Sequence, residues 1–212
     1  MMDRKPMRQM LVKRRVVVGG LVLAAMGGGV ATTMASPVIG KATEIRGDVR
    51  RRQAEQEEAL AVGAQIFDND HVRTKVESFA TLALGTDTRV LLGAETDLLV
   101  DSFIAAQGGT LELGVGRMVF DRPEGLAKVD VAVRTAFGMI GVRGTKFFCG
   151  PSRVAFAVFV EHGSVSVEAG GVRRVVGAGQ GVEFRQAGDA PSEPVNWGQA
   201  RIREAYASAG VQ

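Results

Sequence analysis

The chain has 212 residues, 46% of them hydrophobic, with 26 Lys+Arg against 23 Asp+Glu and a net charge of +3 at pH 7. The excess is local: residues 1–35 hold six bases and one acid, Asp3, which leaves residues 36–212 with 20 bases against 22 acids, a net of −2. That balance excludes nucleic-acid binding, which needs a basic face to displace phosphate counterions. The lone Cys149 excludes an intramolecular disulfide, so the core alone must hold the fold.

The first element in chain order is an address label. Arg4, Lys5, Arg8, Lys13, Arg14 and Arg15 form a basic n-region, an apolar stretch runs from Val16 to Val30, and Thr33-Met34-Ala35 offers the small residues a signal peptidase accepts. Cleavage is expected after Ala35. An uncleaved anchor over Val16–Met34 is the competing reading, but five glycines and two threonines make that stretch weakly apolar. Both readings export the remainder, because the positive charge stays inside. Membrane contact is expected only through this segment, if it is uncleaved. Arg14-Arg15 fits a twin-arginine signal, although Lys13 stands where that pathway shows Ser or Thr, and a Sec n-region accommodates the same pair. With no cysteine at the cleavage site, no lipoprotein anchor is expected there.

From Ile39 to Arg185 the text is short apolar alternation broken by Gly and Asp, the signature of half-buried strands. Arg50-Arg51-Arg52 with Glu55, Glu57 and Glu58 predicts a solvated hairpin tip or a helical turn over Glu55–Ala61. Leu111, Leu113 and Val115 alternate with Glu112 and Gly114, and Val129, Val131 and Val133 with Asp130 and Ala132. Thr145, Phe147 and Cys149 fall on one strand face, Lys146 and Phe148 on the other. Val154–Val160 is apolar throughout and predicts a strand covered on both faces. Gly163 predicts a hairpin turn from that strand to Ser164–Glu168, and Gly179-Gln180-Gly181 a second corner. Gly188–Pro194 reads as a linker, and a helix is predicted from an Asn196 N-cap, with Ile202 and Tyr206 on one face and Trp197 helping it pack on the sheet edge.

The expected fold class is therefore all-β: Gly-punctuated antiparallel strands in a sandwich or a solenoid-like roll, which share this alternation, with a short C-terminal helix. The expected division is a signal segment at 1–35, a β domain at 36–187, and a linker with its helix at 188–212.

Chemistry is sparse. Asp68-Asn69-Asp70 lacks the alternate spacing and closing acid of a calcium loop and reads as a solvated turn. His71 and His162, the only histidines, lack metal-site spacing to each other or to Cys149, which reads as a buried thiol. Glu161 with Asp121 or Glu124 is the one conceivable carboxylate pair, and nothing in the sequence joins them. No G-x-S-x-G serine and no phosphate loop before a helix occurs. No enzyme, metal or cofactor is expected.

Three phrases in order carry a resemblance: Asp70-His71-Val72-Arg73-Thr74, Gly141-Val142-Arg143-Gly144-Thr145-Lys146-Phe147, and Glu161-His162-Gly163-Ser164-Val165-Ser166-Val167. The stretch from Val38 to Arg185 resembles the FecR-domain family, exported all-β modules of cell-envelope signalling. The resemblance implies that Thr74, Gly144, Thr145, Phe147, Gly163, Val165, Gly179 and Gln180 hold the fold rather than a ligand. The family's best-known members add a cytoplasmic sigma-factor-binding segment before a membrane span and a receptor-facing module at the end. Only fifteen residues precede the apolar stretch here and some 27 follow Arg185, so a stand-alone periplasmic FecR domain is expected. The leading functional expectation is a non-enzymatic module that binds an envelope protein, through a sheet edge near Val165. A glycan or peptidoglycan binder is the alternative, which would need Trp197 exposed beside Arg201.

Overall fold

The computed structural model describes residues 37–104, 107–127 and 129–211, so the expected signal segment lies outside the described residues. The chain changes layer again and again. Strand β1 (Val38–Arg46) lies in a first sheet, the hairpin β2 (Val49–Gln53) and β3 (Gln56–Ala59) in a second, β4 (Gln65–Phe67) in the first and β5 (Asp70–Thr74) in the second. The hairpin β6 (Phe79–Leu84) and β7 (Thr88–Leu92) returns to the first sheet, and β8 (Asp97–Ile104) and β9 (Gly108–Val115) to the second. Strand β10 (Met118–Asp121) joins the first, β11 (Asp130–Thr135) and β12 (Gly138–Arg143) the second, and β13 (Lys146–Ser152) and β14 (Ala155–His162) the first. Strands β15 (Ser164–Ala169) and β16 (Val172–Gly177) complete the second sheet. Strands β17 (Gln180–Phe184) and β18 (Val195–Asn196) complete the first, before helix α1 (Gln199–Ser208).

Among the described residues each sheet has nine strands, in the orders β18-β17-β14-β13-β10-β7-β6-β1-β4 and β16-β15-β12-β11-β9-β8-β5-β2-β3. The all-β expectation holds, as two facing sheets. One pair departs from the antiparallel rule: β11 runs parallel to β9, because β10, in the opposite layer, carries the chain back between them.

The inner faces meet in one apolar cluster. Leu82, Leu84, Val90 and Leu92 of the first sheet, and Leu98, Val100, Leu111 and Leu113 of the second, are all buried, and Phe120 and Phe147 stack at 5.5 Å between ring centroids. Each such side chain contributes roughly 1.5–3 kcal/mol on burial. Residues Ala35–Gln212 form one compact unit, and this core closes within it.

A second cluster lies on the outer face of the first sheet. Val119, Phe148, Ala157 and Phe159 point away from the sandwich and are covered by Trp197, Ala205, Tyr206 and Ala209. This is why β14 is apolar on both faces. It also corrects the expected helix site: α1 packs across the face of the central strands rather than at the sheet edge.

Of the two readings of the charged segment the hairpin holds and the helical turn does not: residues 56–59 form strand β3, with Arg51 and Arg52 directly opposite Glu58 and Glu57. Three further expectations change. Asn196 belongs to β18, paired with Gln180, and α1 starts after Gly198 with no side-chain cap. Val154 is 100% exposed in the Arg153-Val154 turn, so the covered strand begins at Ala155. Gly163 is not a hairpin turn: β14 and β15 lie in different sheets, and the glycine carries the chain between layers.

Candidate functional site

The residues singled out from the sequence occupy corners and core. Thr74 ends β5, where its buried hydroxyl donates to the Gly93 carbonyl (2.6 Å) and accepts from the Thr96 amide (2.9 Å), tying β5 to the turn before β8. Gly144 has φ +66° ahead of β13. Thr145 is fully buried, its carbonyl accepting from the Arg122 amide, while its hydroxyl has no partner among the described residues. Phe147 is core. Gly163 has φ +77°, and a Cβ there would lie 2.6 Å from Thr145 Cγ2 and 2.9 Å from the Gly144 carbonyl oxygen. The second and third phrases thus meet at one corner.

Gly179, at φ +79°, donates its amide to the Val160 carbonyl (2.8 Å) and accepts the Trp197 amide (3.0 Å). The Gln180 side-chain carbonyl accepts the Gly177 amide (3.1 Å). Val165 is buried inside β15, an interior strand, so the expectation of an edge there is corrected.

The titratable groups are distributed rather than convergent. His71 Nδ1 lies 3.5 Å from Asp97 and His162 Nδ1 3.6 Å from Glu124. Asp121 pairs with Arg89 at 2.6 Å, and Glu161 with Lys146 at 3.1 Å. Each acid of the conceivable pair therefore faces its own base. Among the described residues no group of three or more His, Cys, Asp or Glu is placed to hold a metal. Burial pushes the Cys149 thiol far above its usual range, and the Tyr206 hydroxyl likewise, with the Glu161 carboxylate beside it adding to the shift.

The turn at Asp68–Asp70 is not a solvated one. Asp70 is fully buried, accepts the Phe67 amide at 2.8 Å and lies 3.7 Å from Arg51, while Asp68 accepts the Phe103 amide. Burial raises the Asp70 carboxyl above 3.8, against the opposing pull of that amide and of Arg51.

Trp197 is buried, with Phe159 stacked on the indole at 4.9 Å and the Arg201 guanidinium over the ring at 3.7 Å. Arg201 is itself anchored by Glu183 at 2.5 Å. At 7% exposure the indole is not free to stack a sugar.

The backbone offers what the side chains do not. Strand β16 pairs only with β15, leaving its other edge without a strand among the described residues. The two-residue Gly170-Gly171 turn closes on the pair Ala169–Val172, which is hydrogen-bonded in such hairpins. Bonding alternates from there, so Arg173 and Val175, opposite Glu168 and Ser166, aim their N–H and C=O groups away from β15. Both are exposed, Val175 at 67%. Strand order is what sequence reasoning missed here, because alternation marks a strand without showing which neighbour it lacks.

Taken together, these features define a two-layer β module with an open, backbone-bearing edge on its second sheet. Residues 70–166, from the start of β5 into β15, match the family model described as FecR protein. The resemblance expected over Val38–Arg185 thus narrows to 70–166 by sequence. Among solved structures, two of a candidate anti-sigma factor from Parabacteroides distasonis are similar, at 19% and 20% identity, each with a TM-score of 0.47. The match covers 59% of this chain and 59% of theirs. Comparison with curated proteins gives no match.

Proposed function

We propose that this protein is an exported, non-enzymatic protein-interaction module of the bacterial cell envelope, acting in signalling or regulation from the periplasm. Its partner is an envelope protein that adds a strand to β16. The observation that carries this reading is the open edge of β16, which directly follows the segment matched by the FecR family model, with Arg173 and Val175 presenting unpaired backbone groups. Strand addition takes affinity from those groups and selectivity from the alternate side chains.

The structure provides a clean test. Val175→Pro removes an N–H that points outward, so the internal ladder survives while the edge is blocked. Residues 36–212 and the Val175→Pro variant serve as baits against detergent-solubilised envelope, with mass spectrometry as readout. A partner held by the parent and lost by the variant supports the reading. A partner held equally by both, or none above a mock bait, refutes it.

A further inference from the structure

The second sheet has two open ends, and they are opposite in charge. Strand β3 reads Gln-Glu-Glu-Ala and is exposed along its whole length, while β16 carries Arg173 and Arg174. Glu58 is held by Arg51 and Arg174 by Glu193, whereas Glu57 and Arg173 take part in no ion pair among the described residues. We propose that β16 of one molecule pairs with β3 of a second copy, extending the sheet head to tail. This rests on the reading of β16 as a strand-accepting edge, and names a second copy of this chain as an occupant of it.

Polarity permits the pairing. Eight ladders join nine strands; if all were antiparallel, the two end strands would run in the same direction. The single parallel ladder, β9–β11, reverses this, so β3 and β16 run oppositely. A copy added along the sheet then meets β16 antiparallel. The first sheet has only antiparallel ladders, its end strands are two and three residues long, and it cannot be continued in this way.

Register permits it as well. In the β2–β3 hairpin the two-residue turn closes on Gln53–Gln56, so Glu57 sends its N–H and C=O outward, as Arg173 does on β16. Arg173 opposite the second copy's Glu57 is thus a hydrogen-bonded pair with both side chains on the outer face. It also continues a pattern already present there, where Arg52 faces Glu57, Glu112 faces Arg134 and Glu168 faces Arg173 across their ladders. Pairing of β3 with β3, or of β16 with β16, sets like charges opposite each other and is disfavoured. The permitted contact is heterologous and grows an open chain rather than a closed dimer.

Sedimentation velocity of residues 36–212 over a wide concentration range tests this, with circular dichroism confirming that each variant is folded. The parent should self-associate reversibly, and less so at about 1 M salt, where the screening length falls to about 3 Å. Glu57→Lys and Arg173→Glu should each weaken association by about tenfold or more, and an equimolar mixture of the two should restore it. A parent that stays monomeric, association indifferent to either reversal, or a mixture that stays monomeric overturns the proposal. A monomeric parent that still loses an envelope partner on Val175→Pro refutes self-assembly alone. Self-association alongside capture unchanged by Val175→Pro refutes the partner reading alone.

Discussion

Gly163 and Gly179 allow packing to be separated from backbone strain. Both are left-handed, at φ +77° and +79°, so alanine at either meets the same local penalty, roughly 1–2 kcal/mol. Alanine also removes freedom from the unfolded chain, which returns about 0.4–1 kcal/mol. At Gly179 nothing among the described residues lies within 4 Å of the added Cβ, so Gly179→Ala should cost only about 1 kcal/mol net. At Gly163 the same atom falls 2.6 Å from Thr145 Cγ2, 2.9 Å from the Gly144 carbonyl oxygen and 3.3 Å from Thr145 Cα. Thr145 is fully buried and has no room to retreat. Overpacking of this kind adds about 1–3 kcal/mol, so Gly163→Ala should cost about 2–4 kcal/mol in total. Urea unfolding of the two variants beside the parent measures the difference through the midpoint, provided the slope is unchanged. Equal losses at the two positions would refute the idea that Gly163 is required for its close approach to Gly144 and Thr145.

Other expectations follow from burial. Cys149 should react with iodoacetamide only as fast as the domain unfolds; faster labelling would show that its strand opens independently. Asp70 has a folded-state carboxyl raised above 3.8, so the stability its protonated form contributes is complete below 3.8 and is lost as pH rises through the raised value. Asp70→Asn cannot ionise, and its stability relative to the parent should therefore climb with pH across that interval, measured by urea unfolding at a series of pH values; a flat difference would contradict the shift. Trp197→Ala removes a buried side chain in contact with Phe159 and Arg201 and should cost about 3–5 kcal/mol, with limited proteolysis cutting the α1 region before the sheets. Equal resistance of the two regions would argue against α1 as a separately anchored cover.

Much of the architecture was legible because burial writes itself into alternation. Phe147 and Cys149 facing in and Phe148 facing out follow from period two, and the unbroken apolar run of β14 requires a layer on each side, the outer one supplied by α1. What alternation lacks is direction and neighbour. The turn glycine at 163 reads alike whether the next strand lies beside the last or in the opposite sheet, and the parallel ladder between β9 and β11 leaves no trace in either strand. Asn196 misled for a related reason. It has the chemistry of an N-cap, but the ladder to Gln180 and the hydrogen bond that the Trp197 amide donates to the Gly179 carbonyl hold that segment extended for two more residues. Local preference yielded to a tertiary contact.

The same limit explains why the candidate site could not be found as a motif. In two stacked sheets the inner faces are consumed by each other, and α1 covers the central strands of one outer face. On the other outer face, charges such as Glu112 and Arg134 lie opposite one another and largely cancel. Interior strands therefore have little left to recognise with, since their backbone groups are spent on the ladder. Only an end strand keeps a row of groups unspent, and whether it is a liability or a site depends on what stands beside it. At β16 the flanking charge comes from Arg173, whose counterpart, Glu57, sits on the opposite end of the same sheet. The proposed recognition is thus a property of strand order and polarity, set by the β9–β11 parallel ladder, and it emerges only when the nine described strands are placed side by side.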